Sequence, residues 1–146
     1  MTIRLMTLND YEPVYALWLA TPNMGLNNLD DSKEGISKYL ARNPDTCFVA
    51  ESEGRITGVI LCGHDGRRGY IHHTAVAGSE QRHGVGTALV NAALSALERE
   101  GINKAALVVF AKNEKGNAFW ERQGFTARED LNYRNRAITE LTRIDT

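Results

Sequence analysis

A chain of 146 residues is long enough for one hydrophobic core and short for two, so a single domain over residues 1–146 is expected. Its 17 Lys and Arg against 18 Asp and Glu leave a net charge of −1, which excludes the global field of a nucleic-acid or acidic-membrane binder. Two cysteines, Cys47 and Cys62, sit in apolar runs without metal spacing and read as buried free thiols; with no leader pattern and no long apolar stretch, the expectation is a cytoplasmic protein, off the membrane and without a metal.

Over Thr2–Thr7, Ile3 and Leu5 alternate with polar residues and predict a first strand. Asn9 or Asp10 then caps a helix to Leu19, with Val14, Leu17 and Trp18 on its apolar face. Pro22 to Leu29 is polar and reads as a loop, and Asp31 or Ser32 starts a second helix to Arg42. The runs Thr46–Ser52 and Arg55–His64 flank Glu53-Gly54 and predict an antiparallel hairpin, in which Gly58 and Gly63 signal a bulge or a close neighbour. After the turn Asp65–Gly69, Tyr70–Ala77 is the next strand. With a period of two, Tyr70, His72, Thr74 and Val76 share one face and His73 takes the other.

That strand runs into Gln81-Arg82-His83-Gly84-Val85-Gly86 and then a helix to Glu100, stopped by Gly101. Free amides at a helix start make an anion site; Gly84 and Gly86 remove side chains where a diphosphate approaches, and Arg82 and His83 add positive potential. No Gly-Lys-Ser/Thr follows and no third glycine completes a dinucleotide fingerprint, so the commoner phosphate loops are excluded. Lys104–Phe110 is nearly continuously apolar and predicts a strand covered on both faces, reached by a parallel crossover. Asn113 caps a short helix ending at Gly124, and Phe125–Arg128 with Leu131–Leu141 read as a closing hairpin.

The loop after Ala75-Val76, followed by Asn113, the pair Phe119-Trp120 and then Gly124-Phe125, resembles the GCN5-related N-acetyltransferase (GNAT) superfamily in detail from about Phe48 to Phe125. The resemblance implies an α/β (α+β) fold: one central, mixed, mostly antiparallel sheet of six to seven strands, splayed between the fourth and fifth, with about four helices. It implies acetyl-CoA as cosubstrate, held by Thr74, Ala75, Val76, Gln81, Arg82, His83, Gly84, Val85, Gly86, Thr87, Ala88, Asn113 and Trp120. The activity implied is direct transfer of the acetyl group to a primary amine within a ternary complex. Expected partners are acetyl-CoA and an amine, on a small molecule or a protein, with a second copy of the chain as a further candidate.

By the same resemblance, the Val76 backbone N–H is the oxyanion donor. His72, four before Val76, stands where arylalkylamine acetyltransferases carry a catalytic histidine, and is the candidate base; Tyr70, six before, stands where histone acetyltransferases carry a glutamate. A base is needed because an alkylammonium has a pKa of ~10.4. Two positions depart from the pattern: Trp120 replaces the tyrosine that protonates the thiolate in many members, and Val108 replaces the glutamate of ribosomal-protein acetyltransferases, which disfavours that activity. Phe119 and Trp120, adjacent on a helix, are expected to point apart. Competing readings are a non-catalytic acyl-CoA-binding or regulatory module and a nucleotide-binding protein. No stretch carries a code for the acceptor.

Overall fold

In the computed structural model, which describes residues 1–146, Glu53 and Gly54 have φ of 52° and 74°. Two left-handed residues match the twist of a tight hairpin, and they join β2 (Phe48–Ser52) to β3 (Arg55–His64). β1 (Thr2–Leu5) pairs antiparallel with β2, β4 (Gly69–Val76) antiparallel with β3, and β5 (Ala105–Ala106) parallel with β4, giving the order β1-β2-β3-β4-β5.

Helices cover both faces. On one, α1 (Tyr11–Leu19) and α2 (Lys33–Arg42) bury Val14, Trp18, Ile36 and Leu40 against Val49, Val59, Leu61 and Ala75. On the other, α3 (Val85–Arg99) buries Val85, Leu89, Ala93 and Leu97 against Ala50, Ile60, Cys62 and Ile71, with α4 (Glu114–Arg122) packed beside it. Gly58 permits that contact, since a Cβ there would lie 2.9 Å from both Leu89 and Val85. Local signals set the helix ends. Ser32 Oγ accepts from the Gly35 N–H (3.0 Å) to start α2, Asn113 Oδ1 accepts from the Gly116 N–H (2.9 Å) to start α4, and Gly101 and Gly124 (φ 77° and 90°) end α3 and α4. Asp10 does not cap α1 with its side chain; its carboxylate accepts from the Thr7 N–H and from both terminal nitrogens of Arg4, each at 2.9 Å.

The second half of the sheet differs from expectation. Pairing of β4 with β5 ends at Tyr70 and Ala106, where the two strands part: the splay is present, but the strand expected over Lys104–Phe110 shrinks to two residues and leaves Ala106, Val108 and Phe110 exposed. The closing hairpin is absent, so the sheet has five strands rather than six or seven. Leu131, Tyr133, Ala137 and Leu141 do alternate with polar residues, but no strand edge takes them, and Leu131, Tyr133, Ile138 and Leu141 stay exposed. The chain end binds elsewhere: Asn28 N–H donates to Thr142 C=O, Ile144 N–H to Leu26 C=O (both 3.0 Å), and Asp145 accepts from Leu26 N–H at 2.7 Å. No helix is long and apolar enough to cross a membrane.

Candidate active site

The site is shaped by one extra residue in β4. Val59 of β3 faces Ala75, yet Leu61 faces His72, so two steps along β3 correspond to three along β4. The bulge falls at His73, whose φ is 30°, a conformation that non-glycine residues hold only when neighbours enforce it. A bulge reverses facing beyond it: Ala75 packs with α1 and α2, whereas Ile71 packs with α3. The expected arrangement, with Tyr70, His72, Thr74 and Val76 on one face and His73 on the other, is therefore corrected. Val76 packs on the α3 side, while His72 meets Tyr39 of α2 and His73 meets Trp18 of α1, so Tyr70, His72 and His73 all look towards α1 and α2.

His73 is held on three sides. Trp18 Nε1–H donates to its carbonyl (3.0 Å), the Trp18 ring meets it edge-on, and its Nε2 lies 2.7 Å from Asp31 Oδ1. Asp31 is buried, and its second oxygen accepts from the Asn27 N–H at 2.8 Å. A carboxylate offers only lone pairs, so His73 Nε2 is the donor in this pair. Neither the Asp31–His73 pair nor the Trp18 bond was legible in the sequence, because the bulge that turns His73 inward has no residue signature.

His72 is exposed at one edge, yet Tyr70, Tyr39 and His73 crowd it with ring centroids 4.6, 5.7 and 6.1 Å away. Loss of hydration around the cation, reinforced by neighbouring His73, pushes its pKa down to about 4. Water at the open edge moderates the shift, and the working consequence is a neutral imidazole at pH 7. Burial pushes the Tyr39 and Tyr70 phenols up, so both stay protonated donors. Together Tyr39, Tyr70 and His72 line a cleft of about 300 Å³ that runs from the end of α2 to Ala106 at the splay.

At the other end of β4 the main chain opens. Ala77 N–H donates to Thr57 C=O (2.8 Å), which makes Gly58 and Val76 the non-hydrogen-bonded pair of the ladder. The Val76 N–H and C=O therefore point away from β3, into the splay. The Val76 carbonyl accepts from the side chain of Gln81 (3.3 Å). Beyond it, Arg82 and Gly84 are left-handed (φ 71° and 79°), Gln81 to Gly84 are exposed, and no backbone acceptor takes the amides of Val85, Gly86 and Thr87 at the start of α3.

The two glycines divide the work. A Cβ on Gly84 would meet nothing within 4 Å, so Gly84 serves backbone conformation and openness. A Cβ on Gly86 would sit 3.0 Å from two ring carbons of Phe119, so Gly86 serves the α3–α4 contact. Phe119 and Trp120 do not point apart. Their rings meet edge to face at 5.0 Å, Trp120 meets Phe125 at 5.2 Å because Gly124 folds the chain back, and all three rest on the α3 core. Asn113 contributes as the α4 cap. Nowhere do three His, Cys, Asp or Glu side chains converge as metal ligands would.

The acetyltransferase (GNAT) family model matches residues 11–125. An acetyltransferase of Pectobacterium atrosepticum is 30% identical over 84% of this chain and 85% of its own length. Among solved structures, Ard1 from Thermoplasma volcanium is similar with a TM-score of 0.76 at 25% identity, covering 86% of this chain and 82% of that one. The PaiA N-acetyltransferase from Thermoplasma acidophilum, in complex with coenzyme A, shares the fold with a TM-score of 0.75 at 18% identity, covering 88% and 91%.

Proposed function

Since the chain belongs to the GNAT acetyltransferase family, we propose that it transfers an acetyl group from acetyl-CoA to a primary amine by direct attack within a ternary complex. The observation that carries this reading is the splay. β4 and β5 part after Tyr70 and Ala106, the Val76 N–H is directed into the gap, and the unpaired amides of Val85, Gly86 and Thr87 stand at its mouth. An extended pantetheine fits such a gap as an added strand, and its diphosphate suits the amides beside Gln81, Arg82, His83 and Gly84. A solved relative of the fold holds coenzyme A, which supports the same donor here.

In the reaction the amine nitrogen attacks the thioester carbon, the C–N bond forms, and the carbonyl oxygen gathers charge facing the Val76 N–H. Collapse breaks the C–S bond. The amine proton passes to His72, which is neutral and lines the cleft on the acceptor side. A second reading, favoured by the 2.7 Å bond to Asp31, gives this proton to His73 Nδ1. Trp120 has no proton to yield at neutral pH, so the thiolate is protonated by water or by a tyrosine such as Tyr133.

The test is CoA thiol release from acetyl-CoA across an amine panel. Turnover supports the enzyme; CoA binding without turnover on any amine overturns it in favour of a non-catalytic acyl-CoA-binding module. The pH profile then separates the bases. An acidic limb that is lost in His72→Ala identifies His72, and a profile unaltered in that variant excludes it.

A further inference from the structure

The cleft that ends at His72 and Tyr70 is also lined by Arg42, the last residue of α2, and by Arg68, in the turn before β4. We propose that the acceptor is a small amine carrying an anionic group, a carboxylate or a phosphate, seated between these two guanidinium groups. The proposal deepens the amine-acetylation reading and rests on it for the position of the nitrogen.

Neither arginine has an acidic partner. The ion pairs of the chain use Arg4, Lys33, His64, His73, His83 and Arg128. Arg42 makes no side-chain hydrogen bond, and Arg68 makes only a long one, 3.5 Å, to the carbonyl of Arg67. Asp65 also lines the cleft, where its Oδ1 accepts the amides of Arg67 and Arg68 (both 2.8 Å) and it makes no ion pair with either arginine; Glu100 meets His64 Nε2 at 2.8 Å. Asn43, also in the lining, spends its oxygen on the His64 N–H (3.1 Å) and its nitrogen on the Tyr39 carbonyl (3.3 Å).

The cleft therefore presents two arginines without ion pairs against one carboxylate, Asp65, a net positive end, and hydrogen-bonding rings at the other. An amine with no other charge gains nothing from such a field, whereas an anionic group is drawn to it and turns the amine towards His72. Guanidinium forks bind carboxylate and phosphate oxygens two at a time, which fixes orientation as well as affinity. A volume of about 300 Å³ suits an acceptor of amino-acid size. The anionic group takes no part in the chemistry: acetyl-CoA and the amine give the N-acetyl product and CoA thiol.

Matched probes test this: L-amino acids against their amides, and 2-aminoethyl phosphate against ethanolamine. Each pair is measured by thiol release and by calorimetric binding in the presence of CoA. The expected result is a preference of about tenfold or more for an anionic member, with Arg42→Gln and Arg68→Gln each collapsing that ratio by about tenfold. Which pair shows the preference distinguishes carboxylate from phosphate. Equal use of charged and neutral members, or Gln variants that leave the ratio unchanged, overturns the proposal. An arginine-dependent binding preference without turnover sustains it while the acetyl-transfer reading fails; turnover without preference does the reverse.

Discussion

Replacing Asp31 isolates what the buried carboxylate does. In Asp31→Ala the Asn27 N–H and the His73 Nε2–H, now 2.8 and 2.7 Å from its oxygens, lose their acceptors in a buried place. Each orphaned donor costs about 1–3 kcal/mol, so a total loss of roughly 2–5 kcal/mol is expected. At about 2–4 °C per kcal/mol, that lowers Tm by roughly 5–15 °C. Asp31→Asn is the control: its amide oxygen can still accept from Asn27 while its NH₂ turns to His73, so the loss should stay at about 1 kcal/mol. Thermal and urea unfolding of the three proteins provide the numbers. Equal losses in the two variants, or a loss below about 1 kcal/mol in the alanine variant, would refute the reasoning. Activity adds a second reading, because the Asn variant pushes the His73 proton onto Nδ1. With His72 as base kcat/KM stays within about threefold; a loss of about 10² transfers the role to His73.

Gly86→Ala should cost about 1–3 kcal/mol through overpacking on Phe119, and adding Phe119→Leu should restore part of it; additive losses in the double variant would show that the two sites do not touch. Trp120→Tyr should leave kcat within about threefold, since amine attack rather than thiolate departure carries the higher barrier, and a gain of about tenfold or more would contradict this. Burial pushes the thiols of Cys47 and Cys62 up to about 12, so neither should react with an aromatic disulfide reagent at pH 8 until the protein unfolds. Because His72 binds a proton less readily folded than unfolded, its contribution makes stability rise with pH between about 4 and 6.5, and His72→Gln should flatten that part of the curve.

What could be read from the sequence was local. The Glu53-Gly54 turn, the Ser32 and Asn113 caps and the glycine stops after α3 and α4 each depend on a few neighbouring residues, and each formed as expected. The glycine-containing loop was also legible as an opening at a helix start, although Gly86 turned out to face Phe119, a partner 33 positions away that no short window contains. The histidine faces were misjudged for a similar reason: the β4 bulge follows from fitting β3, α1 and α2 together, and Trp18 and Asp31 hold it from outside the strand. The closing hairpin was misjudged because the alternation of Leu131, Tyr133, Ala137 and Leu141 suggests a strand, whereas a strand also needs an edge to pair with, and β5 ends at Ala106.

The bulge at His73 acts on β4 as a reading-frame shift acts on a gene. Everything from Gly69 to His72 is read in one phase, with Ile71 in the core and Tyr70 and His72 in the cleft; everything from Ala75 onward is read in the other. Deleting one residue at 73 or 74 would restore a regular ladder and exchange those assignments, driving two polar rings into the α3 core and an isoleucine into the cleft. A relative that aligns with a one-residue gap at this point therefore shares the sheet but not the cleft, however similar its flanking residues, and an ungapped alignment is the condition for carrying any role of Tyr70 or His72 from one chain to another.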